Sequence, residues 1–401
     1  MSPAHASLWI ATAKGAGRPR LHGDLAVDVC VVGGGIAGLT AARLLQRQGL
    51  RVAVVEASRL AARDSGHTTA HLTELLDAGY VALRARFGRD GARLAAASQR
   101  AAIDQIASLA GEEAIACRFA RVPAHRYAET EHELPGLEEE LAAMRDVGLH
   151  ARHVRDAGLP FRVKGALRVE GQAQFHPREY LIGLADRICE QGGRMFEGTR
   201  ALKIREGATC SVETARGTVS CREVVVATHL PVSSRFTLPT SLVAYRTYAL
   251  AARVPTPPPP GLYYDSADPY HYVRTQETTK GTFLLAGGED HEVGQDEDAT
   301  GRLARLERWV RERWPGADVA YHWSGQVLEP GDGLALIGRA PGSKRVWIAT
   351  GFSGTGMTFG TLAGMILADG IAGRESPYAR LYDPARSGRG ARAGREDRPV
   401  A

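Results

Sequence analysis

One stretch of the sequence decides the fold: residues 27–56 read Val27-Asp-Val-Cys-Val-Val-Gly-Gly-Gly-Ile-Ala-Gly-Leu-Thr-Ala-Ala-Arg-Leu-Leu-Gln-Arg-Gln-Gly-Leu-Arg-Val-Ala-Val-Val-Glu56. The first valines predict a strand that is buried on both faces. The apolar residues after the glycines recur at helical spacing and predict a helix that ends at Gly49. A second valine-rich strand leads to an acid. This order of strand, glycine turn, helix, strand and acid predicts a dinucleotide-binding unit.

Each glycine has its own task in such a unit. Gly33 permits the tight turn, Gly35 lets the backbone approach a pyrophosphate, and Gly38 lets the helix pack close to the sheet. The start of the helix offers free N–H groups and the positive end of its dipole to the phosphates. Glu56 accepts hydrogen bonds from a ribose, which disfavours NADP but leaves NAD and FAD open.

The composition is that of an ordinary globular protein, with 44% hydrophobic and 24% charged residues. A chain of 401 residues exceeds what one hydrophobic core usually serves, which predicts two closely joined domains. The small net charge of +5 is concentrated at the C-terminal end. We therefore predict a disordered basic tail over residues 386–401, and an arm that binds RNA or a membrane is the alternative.

The cysteines and the apolar runs indicate the compartment. The five cysteines, at positions 30, 117, 189, 210 and 221, include no Cys-x-x-Cys pair, which predicts reduced, packed thiols without disulfides or a zinc site. No opening stretch resembles a signal peptide, and no apolar run approaches the ~18 residues that a membrane span needs. These features predict a soluble cytoplasmic protein with no membrane or nucleic-acid partner.

A polar segment, Ser65-Gly-His-Thr-Thr-Ala-His-Leu-Thr73, follows the dinucleotide unit. It predicts a loop that opens a helix, with Thr68 and Thr69 as capping residues. The same hydroxyls and backbone groups could instead contact a pyrophosphate or a flavin ring. On such a helix His67 and His71 would share a face, but no third ligand lies nearby, so we predict no metal site.

The second half of the chain predicts a strand-rich region and a second glycine-rich turn. In the strand-rich region, at about 245–323, alternation places Tyr270, Tyr272 and Arg274 on one face of a strand. Near the C-terminal end, a strand is followed by Gly351-Phe-Ser-Gly-Thr-Gly-Met-Thr358 and a helix. This turn could aim a second helix dipole at the same ligand.

Three motifs, in this order, resemble the FAD-dependent oxidoreductases of the D-amino acid oxidase family, which includes glycine oxidase. They are Asp28-Val-Cys-Val-Val-Gly-Gly-Gly-Ile-Ala-Gly-Leu39, Val224-Val-Val-Ala-Thr228 and Ile348-Ala-Thr-Gly-Phe-Ser-Gly-Thr-Gly-Met357. A closer likeness is to a bacterial branch marked by Gly66-His-Thr-Thr-Ala-His-Leu-Thr73, many members of which carry a Rieske iron–sulfur domain. This chain has no Cys-His pattern for such a cluster, so we expect no Rieske domain here.

The resemblance implies an α/β fold in which a Rossmann-like FAD-binding domain is interleaved with an α+β substrate domain built on an antiparallel sheet. We assign residues 1–80, 155–240 and 325–385 to the FAD-binding domain, and 81–154 and 241–324 to the substrate domain. The resemblance also implies hydride transfer from a carbon that bears nitrogen, after which water hydrolyses the imine. The implied partners are a small amine substrate and an electron acceptor, either oxygen or a redox partner.

The motifs and the resemblance predict the residues that contact FAD. They are Gly33, Gly35, Ile36, Ala37, Gly38, Glu56, Ala57, Ser58, Arg59, Ser65, Gly66, His67, Thr68, Thr69, Ala70, His71, Ala201, Thr228, Gly351, Phe352, Ser353, Gly354, Thr355, Gly356, Met357 and Thr358. We expect noncovalent FAD. A covalent link at His71 is the alternative, because Thr68-Thr69-Ala70-His71 matches the run through which dimethylglycine dehydrogenase attaches FAD.

The substrate residues of the better-known relatives are missing. Amino acid oxidases hold the substrate carboxylate with arginine or lysine, but residues 323–327 contain neither, and threonines stand at 73 and 358 near the other matching positions. Arg274 is the best remaining anchor, and a purely structural arginine is the equal alternative. Tyr272 and His71 complete the predicted substrate pocket, with core packing as the alternative for Tyr272.

The sequence thus predicts an FAD-dependent amine or amino acid oxidase or dehydrogenase. The alternative is a flavin domain of an RNA-modifying or partner-coupled electron-transfer system, which the Arg-rich tail and the missing Rieske domain suggest. An NAD-dependent dehydrogenase is disfavoured by the second glycine-rich turn at Gly351.

Overall fold

The computed structural model describes residues 4–229, 242–295 and 298–386. Within these residues the chain forms three β-sheets and nine α-helices. None of the described helices has both the length and the apolar character that crossing a bilayer requires. The predicted basic tail beyond residue 386 lies outside the described ranges, as does the predicted domain boundary at 240.

The strands, in chain order, are β1 Ala4–His5, β2 Leu25–Ala26, β3 Val29–Val32, β4 Val52–Val55, β5 His71–Leu72, β6 Ala120–Ala128, β7 Ala151–Val154, β8 Gly165–Gln174, β9 Arg194–Phe196, β10 Lys203–Arg205, β11 Cys210–Thr214, β12 Gly217–Cys221, β13 Glu223–Val226, β14 Leu242–Arg253, β15 Leu262–Asp265, β16 His271–Thr278, β17 Gly281–Glu292, β18 Asp318–Pro330, β19 Leu336–Arg339 and β20 Val346–Thr350. The helices are α1 Leu8–Thr12, α2 Ile36–Arg47, α3 Asp64–His67, α4 Tyr80–Glu112, α5 Leu134–Asp146, α6 Pro177–Glu190, α7 Ala299–Arg313, α8 Gly356–Ile371 and α9 Ala379–Tyr382.

The first sheet carries the dinucleotide unit, in the spatial order β19-β20-β13-β3-β4-β9. All neighbours in it are parallel except β19 and β20. Every residue of β3 and β4 is buried, as their continuous valine-rich runs predict. The predicted Rossmann-like half of the α/β fold is therefore confirmed, with β3, α2 and β4 at its centre.

The second sheet has ten strands, in the order β1-β18-β14-β17-β16-β15-β6-β8-β5, with β7 also paired to β8. Most neighbours are antiparallel, as expected for the substrate half, but β15 pairs with β6 in parallel. Helix α7 covers one face of this sheet, where His271 stacks on Trp309 at 4.4 Å between ring centroids. Tyr272 points to the opposite face, which is turned toward the dinucleotide unit.

Helices α2 and α8 hold the two glycine-rich turns together. A Cβ atom on Gly360 would lie 2.4 Å from the Ile36 side chain, and one on Gly364 would lie 2.5 Å from Thr40 Cγ2. The two helices therefore cross at a distance that only glycine allows. As a result, the first and the second glycine-rich turns open toward the same cavity.

The predicted helix after Thr68 is wrong. Helix α3 ends at His67, Thr68 is its C-terminal cap residue, and His71 begins strand β5. His67 and His71 are therefore on different elements and do not share a helix face. Ala70, between them, has a positive φ of +58°, which turns the chain out of the helix.

The sheets do not follow the predicted domain boundaries. Strand β8 and the last residues of β18 belong to the large sheet, although both were assigned to the FAD-binding domain. Arg386 differs from the prediction too, because its guanidinium binds the buried Asp332 carboxylate at 2.8 Å instead of starting a disordered tail. The rest of the division into two domains stays a prediction.

Candidate active site

A cavity of about 640 Å³ lies between the parallel sheet and the large sheet. Most of the predicted FAD-contacting residues line it: Gly33, Gly35, Ile36, Ala37, Glu56, Ala57, Arg59, Ser65, His67, Thr68, Thr69, His71, Ala201, Thr228, Phe352, Ser353, Gly354, Thr355, Gly356 and Met357. The remaining predicted residues each directly neighbour a lining residue, and they are Gly38, Ser58, Gly66, Ala70, Gly351 and Thr358. The structure thus brings together residues that are far apart in the chain.

The glycine turn forms one end of this cavity. Gly33 has a φ of +113°, and a Cβ atom on it would lie 2.3 Å from the Ala227 carbonyl oxygen. A Cβ on Gly38 would lie 2.0 Å from the Gly33 carbonyl oxygen, which confirms that close packing requires this glycine. Gly35 caps α2 without a side chain, so the positive end of the helix faces the cavity.

Glu56 stands beside this turn with its carboxylate held in place. Its Oε2 accepts a hydrogen bond from Gly34 N at 2.9 Å, and its Oε1 accepts one from Ser58 N at 2.7 Å. A carboxylate oxygen has a second lone pair, so both oxygens can still accept a ribose hydroxyl. The geometry at this end fits the adenosine half of FAD.

Two buried polar atoms further along the cavity lack a partner within the described part of the chain. They are Thr355 Oγ1, at the start of α8, and His71 Nε2. Because a buried polar group without a hydrogen bond is costly, such atoms in a cavity wall fit a polar ligand. Both glycine-rich turns therefore suit one long ligand that has phosphates at one end and a polar ring at the other.

The far end of the cavity is formed by aromatic side chains of the large sheet. His71 packs edge-on against Tyr264 and Tyr272, with ring centroids 5.2 and 5.3 Å apart. The Tyr272 hydroxyl lies 3.2 Å from Thr247 Oγ1, and the Tyr270 hydroxyl donates to Asp290 Oδ2 at 3.1 Å. Burial, and then the charge of Arg274, lower the pKa of His71 well below its usual range, so its imidazole is neutral at neutral pH.

Side-chain hydrogen bonds hold the segment 66–69, which bears predicted FAD contacts. Four consecutive carbonyl oxygens each accept a hydrogen bond from a different side chain. The donors are Ser7 Oγ to Gly66 at 2.5 Å, Trp323 Nε1 to His67 at 2.8 Å, Trp9 Nε1 to Thr68 at 2.6 Å and Arg274 Nε to Thr69 at 2.7 Å. Residues from distant parts of the chain therefore set the shape of this wall.

Arg274 is placed behind the cavity wall and does not line it. Its side chain is fully buried, and it also donates to the Phe175 carbonyl oxygen at 3.0 Å and to Gln276 Oε1 at 2.7 Å. The guanidinium also lies 5.2 Å from the centre of the Trp9 ring. Because each of its three nitrogens donates to a protein group and its side chain does not line the cavity, this geometry does not support the predicted carboxylate contact.

Several residues that line the far end were missed by sequence reasoning. Tyr264, Thr247, Asp77 and Asp290 belong to different strands and loops, whereas Tyr270 is predicted on the Tyr272 face but not as a site residue. Tyr264 pairs in register with Tyr272 across β15 and β16, which only the structure shows. Within the described ranges, no group of three or more His, Cys, Asp or Glu side chains is arranged to hold a metal ion.

Comparisons with known proteins agree with this geometry. The family model described as FAD dependent oxidoreductase (DAO) matches residues 28–370. YhfW of Bacillus subtilis (strain 168), named as a Rieske 2Fe-2S iron-sulfur protein, is 30% identical over 371 residues, which cover 92% of this chain and 73% of that protein. Gamma-glutamylputrescine oxidoreductase of Escherichia coli (strain K12) is 26% identical over 377 residues, 90% of this chain and 88% of that protein.

Solved structures show the same fold. The crystal structure of glycine oxidase from Geobacillus kaustophilus superposes with a TM-score of 0.78 at 20% identity, covering 90% of this chain and 99% of that chain. The family model covers most of the chain, and both glycine-rich turns and the acid Glu56 line one cavity. This chain therefore belongs to the DAO family of FAD-dependent oxidoreductases, with FAD as its cofactor.

Proposed function

We propose that this enzyme oxidises the C–N bond of a small amine or amino-acid-like compound, giving an imine that water hydrolyses. One observation carries the proposal: a single cavity joins the dinucleotide end at Gly33 and Glu56 to the tyrosine-lined face of the large sheet. FAD, when bound, supplies the acceptor for the hydride. The protein's own task is then to hold the substrate carbon close to the ring and keep the site dry.

The side chains at the far end suit that task. The rings of Tyr264, Tyr270 and Tyr272 form an aromatic wall, with centroids of neighbouring rings 5.8 to 6.5 Å apart. A neutral His71 keeps positive charge away from a substrate that becomes an iminium ion on oxidation. The names of two relatives, gamma-glutamylputrescine oxidoreductase and glycine oxidase, support a substrate with an oxidisable C–N bond.

The test is an anaerobic screen of amines and amino acids that follows bleaching of the flavin absorption. Bleaching reports the reductive step alone, so the result does not depend on the electron acceptor. We expect at least one amine to bleach the flavin, and Tyr272→Ala to slow bleaching with the FAD content unchanged. The matched control is Tyr321→Ala, on β18 of the same sheet but away from the cavity lining. A holoenzyme that no amine or amino acid reduces would contradict the proposal.

We infer that FAD is held without a covalent bond. The His71 ring is packed between two tyrosines, which supports a role as a packed wall residue of the cavity. After acid precipitation the flavin fluorescence should therefore remain in the supernatant. Fluorescence that stays with the pellet, and is lost from it in His71→Ala, would establish the covalent alternative.

A partner-coupled system is the second candidate, because the relative with 30% identity is named as a Rieske iron–sulfur protein. Such a system would pass electrons to a one-electron partner and not to oxygen. Reoxidation of the substrate-reduced enzyme separates the two cases: rapid reoxidation by oxygen indicates an oxidase, whereas reoxidation only by a one-electron acceptor such as ferricenium indicates a dehydrogenase. Deleting residues 387–401 tests the RNA-linked version, which requires loss of RNA binding.

A further inference from the structure

A second cavity of about 410 Å³ adjoins the candidate active site. The two cavities share the lining residues Asp77, Tyr264, Tyr270 and Ser353. The tyrosine wall therefore lies between two adjacent spaces. A substrate that occupied both cavities would have to pass this wall.

Two arginines that line the second cavity have no hydrogen-bond or ion-pair partner among the described residues. Arg126, on β6, and Arg86, on α4, are half-buried, and neither makes a hydrogen bond or ion pair with any residue that the structure describes. In this they differ from Arg274, whose three nitrogens each donate to a protein group. A half-buried guanidinium beside a cavity and without a partner is suited to an anionic ligand group.

Six carboxylates line this cavity, and protein donors hold at least three of them in place by hydrogen bonds. Glu140 accepts hydrogen bonds from Tyr80 N at 2.7 Å and Val81 N at 3.2 Å, at the start of α4. Glu133 closes a capping box at Thr130, and Asp265 accepts from His271 N at 2.7 Å and lies 3.0 Å from its ring. Asp77, Glu139 and Glu329 also line the space. Three carboxylates thus have protein donors, whereas the two arginines have no acceptor.

The sheet register places Arg126 close to the tyrosine wall. Arg126 pairs with Tyr264 across β6 and β15, and Tyr264 pairs with Tyr272 across β15 and β16. Residues paired in this way point to the same face of a sheet, and two strand spacings separate Arg126 from Tyr272 by about 10 Å. A carboxylate at Arg126 would therefore sit several bonds away from an amine at Tyr272.

Among the described residues, no arginine or lysine lines the aromatic end of the first cavity. The arginines that line this cavity elsewhere are Arg59, Arg63 and Arg200, all exposed and all outside the large sheet, and no described lysine lines it. An α-amino acid, which carries its carboxylate on the reacting carbon, would find no positive partner there among the described residues. The two cavities together therefore separate the amine site from the carboxylate site.

We propose that the substrate is an ω-amino carboxylate: a chain whose amine is oxidised at the Tyr264 and Tyr272 wall and whose carboxylate is bound by Arg126, with Arg86 as the second cation. This rests on the proposed amine oxidation. Arg126 is a specificity residue for the anionic end and takes no part in the hydride step. The spacing favours a chain of about five carbons, such as δ-aminovalerate.

Turnover of compounds of equal length tests the proposal. The holoenzyme is assayed in the steady state, with oxygen or ferricenium as the electron acceptor, on δ-aminovalerate, cadaverine, pentylamine and norvaline. At the end of the chain away from the oxidised amine, the first three carry a carboxylate, a second amine and a methyl group. Norvaline carries its carboxylate on the carbon that bears the amine. We expect δ-aminovalerate to have the highest kcat/KM. Arg126→Gln should raise its KM about ten- to a hundredfold and leave pentylamine unchanged, and Arg126→Lys should recover part of the loss.

The control is Arg121→Gln, on the same strand but bound to Asp104 and outside both cavities. A preference for cadaverine would assign the second cavity to a cationic end and overturn the proposal, as would a preference for norvaline. An equal loss for all substrates in Arg126→Gln would make Arg126 structural and would also overturn it.

Binding of valerate, which has the carboxylate but no amine, separates this proposal from the proposed function. Titration of the flavin absorption should show valerate binding to the wild type and about tenfold weaker binding to Arg126→Gln. If no amine reduces the flavin but valerate binds through Arg126, amine oxidation fails and the carboxylate site stands. If amines reduce the flavin and valerate does not bind, the carboxylate site fails alone.

Discussion

Arg274 shows how one buried side chain can shape a site without entering it. Its guanidinium joins the Thr69 carbonyl, which belongs to the cavity wall, to the Phe175 carbonyl and the Gln276 side chain behind that wall. Trp9, Trp323 and Ser7 hold the neighbouring carbonyls in the same way. Elsewhere, hydrogen bonds within a helix or a sheet satisfy the backbone carbonyl oxygens. In this wall, side-chain donors satisfy them instead.

Replacing Arg274 should therefore lower the stability of the protein more than it changes the recognition of substrate. Arg274→Met leaves buried carbonyl oxygens without donors, so we expect the free energy of unfolding to fall by about 2–5 kcal/mol. Arg253→Met is the matched control, because that arginine also lies over an aromatic ring but is exposed, and should cost less than about 1 kcal/mol. Urea denaturation measures both. A variant of normal stability with only a raised substrate KM would restore the carboxylate-anchor role.

The hydrogen bonds and the pKa of His176 predict how the free energy of unfolding depends on pH. It caps α6 through Nδ1, which accepts from Glu179 N at 3.2 Å, and its Nε2 lies 2.9 Å from the Thr12 hydroxyl. Because that hydroxyl donates to the Leu8 carbonyl, Nε2 carries the proton and the ring is neutral. Burial, followed by the charge of Arg274, lowers the pKa of His176 to about 3.

The folded state thus binds this proton less readily than the unfolded chain. His176 should contribute full stability above pH ~6.5 and lose it as the pH falls toward 3, at a cost of about 2 kcal/mol at pH 5. His176→Asn retains a capping acceptor but cannot titrate, so its loss of stability between pH 7 and 5 should be smaller by that amount. The exposed His150→Asn is the control. An unchanged pH dependence in His176→Asn would refute the assignment.

At the scale of elements, the crossing of α2 and α8 decides where the two glycine-rich turns meet. The contact depends on Gly360 and Gly364, because a Cβ atom at either position would collide with α2. A shift of α8 would move Thr355 and the second turn away from the first. Packing density at this crossing is therefore linked to the shape of the FAD site.

Gly364→Ala tests that link. Its Cβ would lie 2.5 Å from Thr40 Cγ2 and 2.8 Å from Ala41 N, so we expect a loss of about 1–3 kcal/mol in the free energy of unfolding together with weaker FAD binding. Gly111→Ala is the counterpart, because no atom lies within 4 Å of its Cβ in helix α4, and it should stabilise by up to about 1 kcal/mol. Equal effects of the two substitutions would show that the crossing tolerates a larger residue.

At the scale of the whole molecule, the cavity separates two sheets, and FAD would bridge them. A ligand that binds only the folded state stabilises it, and at about 100 times its Kd the gain is about 2.7 kcal/mol. FAD should therefore raise the unfolding temperature of the apoprotein. FMN should raise it much less, because FMN lacks the adenosine half that would reach Glu56 and the glycine turn.

Thermal unfolding with each flavin, in the wild type and in Glu56→Ala, measures this difference. The substitution should remove most of the advantage of FAD over FMN. Equal stabilisation by the two flavins in the wild type would show that the Glu56 end of the cavity contributes no binding. The comparison needs no substrate, so it does not depend on the proposed reaction.

The local spacing of residues in the sequence determined many of the structural elements of this protein. The strand, glycine turn, helix and acid of residues 27–56 and the second turn at 351–358 follow from short-range patterns, because each requires particular backbone angles and one buried face. The motifs then identified the FAD family. The prediction failed at Thr68, where the polar residues suit a helix start as well as a helix end, and the chain used the end.

Tertiary structure alone decided which arginine lies beside the tyrosine wall without a partner among the described residues. Alternation along β16 placed Arg274 on the same face as Tyr272, but it could not reveal that Trp9, Thr69 and Phe175, from distant segments, surround that guanidinium. Arg126 is far from Tyr264 in the chain and becomes its neighbour only through the parallel pairing of β6 with β15. Strand pairing between distant segments is set by packing of the whole sheet, so no local pattern encodes it.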